Sequence, residues 1–204
     1  MYYIGLDLSL SSTGVVIRKM GEQGPPLVAE RIRPTTRGPV RLGFLRDRLA
    51  RLLASVPADE VGMVAIEYYA IGKASSGGGR VFDIGEWGGV ARVAVLDAGL
   101  PALEVGTKTL KLVFAGTAAK DKTAPKSKAH KAFVLKMCAD YGFETKQDDL
   151  ADAYALSWVA EWFVTGALGG APEKEVEGVK QILYRPTNPS SRPRQRRLQP
   201  VAKR

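Results

Sequence analysis

Tyr2-Tyr3-Ile4-Gly5-Leu6-Asp7-Leu8 is an apolar, strand-like run broken by one carboxylate. The same break occurs twice more along the chain. Glu67 directly follows Met63-Val64-Ala65-Ile66, and Asp149 and Asp152 open the apolar stretch from Leu150 to Val164. A carboxylate taken out of water costs several kcal/mol unless something positive pairs with it. No lysine or arginine is adjacent in sequence to any of the four. Carboxylates gathered near core segments without obvious basic partners point to a divalent-cation site.

Working outward from the first strand, residues 14–19 and 27–33 read as two more strands, joined to it by short polar or Gly/Pro-rich connections. Three such segments predict an antiparallel meander. Leu42, Leu45, Leu49, Leu52 and Val56 then fall at helical spacing, with Arg41, Arg46, Arg48 and Arg51 off that stripe as a solvated face, and Pro57 as the stop. Residues 62–67 form a short buried strand and 71–79 a Gly-rich flexible loop. A helix follows over 80–98, in which Gly85, Gly88 and Gly89 are read as marks of close helix–sheet contact and Gly99 as the C′ residue. Residues 102–105 make a fifth strand. Helices are expected over 107–115, 126–141 and 149–165, with Gly142 and Gly166 as stops.

That order predicts an α/β domain with a five-stranded mixed sheet flanked by helices. In it the strands carrying Asp7 and Glu67 can be neighbours. Asp149 and Asp152, three apart, share one face of a first helical turn, where the positive helix end tolerates them. Taken singly, each acid has a plain reading: Asp148 or Asp149 as a helix cap, Asp7 as a turn or edge residue, Glu67 as a strand end. Together they cannot all stay ionised at contact distance without cations between them. Two Mg²⁺ (or Mn²⁺) ions ~4 Å apart would neutralise them and clamp a phosphodiester for in-line attack by water.

The net charge of +9 and pI near 9.7 over 204 residues point to a polyanionic partner. The single cysteine, Cys138, has no internal partner, which fits a reducing compartment such as the cytoplasm. No run of 18 apolar residues predicts a membrane span, and the first segment does not read as a signal peptide. The expected division is a folded domain over 1–169 and a basic tail over 170–204. Residues 185–204 hold seven basic residues, four prolines and no acid, so this segment is expected to be disordered or to order on a partner.

Three segments together resemble the RuvC family of Holliday junction resolvases, within the RNase H-like nucleases. Ile4-Gly5-Leu6-Asp7-Leu8-Ser9 with Thr13-Gly14 is similar to the family's first strand and turn. Ala65-Ile66-Glu67 is similar to its second acidic motif, and Gln147-Asp148-Asp149-Leu150-Ala151-Asp152-Ala153 to the start of its closing helix. The resemblance covers residues 2–164. It implies an RNase H-like fold, with Asp7, Glu67, Asp149 and Asp152 as metal-binding catalytic carboxylates and Asp148 as the one-residue alternative at the third position. It implies a homodimer that nicks opposed strands of four-way DNA junctions using two divalent metals. A less selective nuclease for forks and flaps, and a binding module that does not cut, are the alternatives. The run from Ser9 to Gly14 also resembles the first phosphate loop of actin-like ATPases, which need two such domains where this chain has room for one.

Between Gly106 and Lys136 there are eight lysines and one acid, Asp121. A solvated basic helix pair is the plain account. Beside an acidic site, phosphate contact is the better one. The resemblance assigns DNA contacts to Lys108 and Lys111 and to the segment holding Lys126 and Lys128. The family places a base-wedging aromatic three residues after its second acid. That position here is Ala70, so Tyr68 or Tyr69 is the candidate for base stacking, with core packing the plain account of Tyr68. His130 is read as a surface residue and Cys138 as a small core residue.

Overall fold

The computed structural model describes residues 1–68, 78–106, 110 and 126–166, with backbone alone for 68, 78–84 and 126–130. Its centre is a five-stranded sheet in the order β3-β2-β1-β4-β5. Strands β1 (Tyr2–Asp7), β2 (Thr13–Lys19) and β3 (Val28–Ile32) form the expected antiparallel meander. β4 (Val61–Tyr68) runs parallel to β1, and β5 (Ala102–Gly106) parallel to β4.

Strand alternation sends Ile4, Leu6, Val15 and Ile17 to one face and Tyr3, Val16 and Ala65 to the other. The first face is covered by α1 (Gly38–Leu53) and α2 (Gly78–Asp97), through Leu45, Leu49, Trp87, Ala91 and Val95. The second is covered by α3 (Lys126–Asp140) and α4 (Asp148–Thr165), through Val134, Cys138 and the long buried side of α4. Cys138 is thus a core residue, and burial pushes its thiol up to about 12. Among the described residues no helix is long and apolar enough to cross a membrane.

Two expectations need correction. Helix α1 begins at Gly38, a turn before Leu42, with Pro39 in its first turn, and it ends at Leu53 although Val56 is buried. Pro57 disfavours helical backbone in the residue before it, so the apolar stripe outruns the helix. Second, the glycines of α2 do not mark helix–sheet contact. A Cβ on Gly85 or Gly89 would meet nothing within 4 Å, and on Gly88 only the Arg92 guanidinium. The close contact lies at Gly5 and Gly14 instead. A Cβ on Gly5 would overlap the Ala153 carbonyl oxygen and stand 2.7 Å from the Ser157 nitrogen, and one on Gly14 would overlap the Asp149 carbonyl. Glycine at both positions lets the backbone of α4 lie directly on β1 and β2.

The helix stops behave as read. Gly99 and Gly142 follow their helices at positive φ, and Gly166 caps α4 in the left-handed region. Gly78 and Gly79, read as loop, already belong to α2. The expected helix over 107–115 lies outside the described residues except for Leu110, which is buried. So does the whole of the proposed 170–204 tail.

Candidate metal centre

The parallel register of β1 and β4 places Leu6 opposite Ile66. The next residues, Asp7 and Glu67, therefore end side by side at the carboxyl edge of the sheet, on the face that α4 covers. The N-terminal half of α4 is drawn onto this edge by the two glycine contacts, and its first two turns carry Asp149 and Asp152. Asp7, Glu67 and Asp149 are each only 8% exposed.

Electrostatics bring the four together. The Asp7 carboxyl is held well above its ordinary range. Burial is the main cause, followed by a hydrogen bond shared with Glu67 and then by the charges of Glu67, Asp152 and Asp149. Asp7 thus feels each of the other three acids.

Asp149 differs, and here the sequence misled. Its lack of a basic sequence neighbour suggested an uncompensated carboxylate, but its partner comes from β3. Arg31 Nε donates to Asp149 Oδ2 at 2.7 Å, while Arg31 Nη1 donates to the side-chain oxygen of Gln147, the N-cap residue of α4. Ser12 also donates its hydroxyl to Asp149 Oδ2, and the Leu150 N–H donates to Oδ1 at 3.1 Å. The loop carrying Ser12 is itself pinned. Thr13 Oγ1 donates to the Ser9 carbonyl at 2.7 Å and accepts from the buried Trp87 Nε1 at 3.0 Å. The signal for Arg31 lay in alternation: Ile32 enters the α1–α2 core, so Arg31 faces α4.

Asp148, the alternative third acid, accepts a hydrogen bond from Lys131 on the exposed side of the helix, away from this group. Lys126 and Lys128 lie in the first turn of α3, where only the backbone is described. His130 is likewise described by its backbone alone. Lys108, Lys111, Tyr69 and Ala70 lie outside the described residues.

The donor chemistry suits a hard divalent cation: four carboxylates, three of them buried, crowded enough that Asp7 is driven towards its protonated form. Among the described residues no three side chains stand ready as a coordination shell. That agrees with both oxygens of Asp149 being engaged by Arg31, Ser12 and the Leu150 N–H. A cation held here would offset the charges that crowd Asp7 and would share Asp149 with its present donors.

No family model matches the chain, and no curated protein does. Solved structures of RuvC are among those that match in fold. Thermus thermophilus RuvC in complex with Holliday junction substrate aligns with a TM-score of 0.61 at 18% identity, over 84% of this chain and 98% of that one. Another Thermus thermophilus RuvC structure aligns with a TM-score of 0.57 at 20% identity over the same shares. The five-stranded mixed sheet with helices on both faces is therefore the RNase H-like fold as RuvC has it.

Proposed function

We propose that this chain is a divalent-metal-dependent endonuclease that resolves four-way DNA junctions by paired nicks in opposed strands. The observation that carries the reading is the convergence on Asp7 of Glu67, Asp149 and Asp152, at the carboxyl edge of β1 and β4, in a chain with the fold of RuvC.

Asp7, Glu67, Asp149 and Asp152 would hold the ions between them. Bound Mg²⁺ or Mn²⁺ would supply charge neutralisation at the phosphate and a water made nucleophilic near neutral pH. The protein's part is to present Asp7 and Glu67 side by side, to keep Asp149 in place through Ser12 and Arg31, and to hold the strand. For the last task the candidates are Lys108, Lys111, Lys126 and Lys128 on phosphates, the basic 170–204 segment, and Tyr69 stacked on an unpaired base. A homodimer in the cytoplasm would set two such sites against the two symmetric strands of a junction.

The test is direct: incubate labelled four-way junction, fork and linear duplex with and without Mg²⁺, and map the nicks. Symmetric nicks in the junction alone support the reading, and equal cutting of linear duplex overturns it. Removing Lys108 or Lys111 is expected to lower the salt slope of binding by about one each. A less selective fork and flap nuclease is the second reading. Ala70 favours it, since it stands where the resembled family has its wedging aromatic. Under that reading, Tyr69→Ala leaves junction cleavage unchanged.

A further inference from the structure

The acidic centre contains a permanent cation of its own. Arg31 is bound at both branches of its guanidinium, by Asp149 through Nε and by Gln147 through Nη1, and its side chain is 23% exposed. Its position is fixed by the sheet, since Arg31 pairs with Gly14 on β2, and Gly14 is where α4 touches that strand. The guanidinium therefore reaches the first turn of α4 from the edge strand. A guanidinium brings a fixed positive charge to this turn.

We propose that Arg31 is a built-in counter-ion that holds Asp149 when no metal is present and weakens cation binding on the Asp149 side, so that this side fills with metal only when a DNA phosphate arrives. The inference rests on reading the centre as a metal site. A positive charge 2.7 Å from a ligand oxygen repels a second cation at that oxygen, and the low dielectric of a nearly buried site strengthens the effect. A phosphodiester brings negative charge to the same place and offers the guanidinium a second acceptor, for which its planar fork is suited. Metal occupancy and substrate occupancy then become coupled, and each raises the other. Arg31 is a positioning residue here, because it acts through Asp149.

The experiment is calorimetric titration of the full chain with Mn²⁺ alone, with no DNA, after thermal melts confirm that each variant is folded. Arg31→Gln is expected to bind Mn²⁺ about ten-fold more tightly than the original chain, since one charge leaves the centre. Arg31→Lys keeps the charge and is expected to stay within about two-fold. Adding a short non-cleavable DNA phosphodiester strand should tighten Mn²⁺ binding in the original chain and in Arg31→Lys, but little in Arg31→Gln. Should Arg31→Gln fail to fold, Gln147→Ala removes one of the guanidinium's two acceptors at an exposed position, and a smaller tightening is expected. Unchanged or weaker Mn²⁺ binding in Arg31→Gln, or in Gln147→Ala where that variant replaces it, overturns the inference and leaves the metal reading intact. An original chain that takes up no Mn²⁺, with or without DNA, overturns both.

Discussion

Helix α4 buries carboxylates at both of its ends, against the same sheet, in opposite ways. Near its C-terminus, Glu161 meets Arg18 of β2 at 2.5 Å and accepts the Gly21 N–H at 3.1 Å. Arg18 is 1% exposed, and its guanidinium lies 3.5 Å over the centre of the Trp158 ring. Each charge there has its opposite. At the N-terminus, four acids crowd one another, and Asp149 among them is paired with Arg31. A protein able to build the first arrangement is not forced into the second by its fold. The acidic crowding costs stability and marks a place selected for something other than folding.

The widest separation between the two ends should come from neutralising an acid in each. Asp7→Asn is expected to abolish metal-dependent junction cleavage while leaving DNA binding in place, and to raise the melting temperature of the metal-free protein. A variant that still cuts normally would break the contrast. Next in size is Arg18→Met, which strands Glu161 and should cost about 3–5 kcal/mol of stability in denaturant titrations. The double variant Arg18→Met/Glu161→Leu should recover most of that loss, because replacing both partners of a buried pair with apolar groups is often neutral. If the single variant melts like the original chain, the C-terminal pair is not a structural clamp.

Gly5→Ala should produce a smaller effect that bears on the contact between the ends. The new methyl pushes into the α4 backbone, and overpacking of this kind costs about 1–3 kcal/mol. Cleavage should fall further than stability explains, since Asp149 and Asp152 ride on the displaced helix. The finest distinction is in pH. The folded state holds the Asp7 carboxyl above its ordinary value, so between the two values it binds more protons than the unfolded chain. Metal-free stability should therefore be highest in acid and decline as pH rises from about 4 through the raised value. Melts in EDTA should show this slope. Asp7→Asn should flatten it, and added Mg²⁺ should offset it.

Much of this was legible from the chain. Apolar, strand-like runs at 2–8 and 14–19 with short connections pointed to the meander, and acids interrupting apolar runs pointed to the centre. What the sequence withheld involves pairs far apart in it. Arg31 and Asp149 are 118 residues apart, so nothing in the neighbouring sequence of either pairs them. Arg18 and Glu161 are likewise 143 residues apart, and only the folded chain brings them together. The glycines of α2 drew attention because they are unusual inside a helix, whereas the two that touch another backbone, Gly5 and Gly14, sit inconspicuously in strands.

Ten consecutive residues of α4, Ala153 to Trp162, are buried. Nearly three turns of helix without a wet side leave no position where a substitution goes unnoticed. In evolutionary terms α4 is the segment least free to drift, while α1, with Val40 and Phe44 exposed, has room to change. A saturation mutagenesis scan scored for folding should therefore show a nearly unbroken intolerant block along α4 and a striped pattern along α1. Because α4 has no free face along this stretch, neither DNA nor a second copy can be received on it. New specificities in such a chain would have to arise on the other elements, around a helix that stays the same.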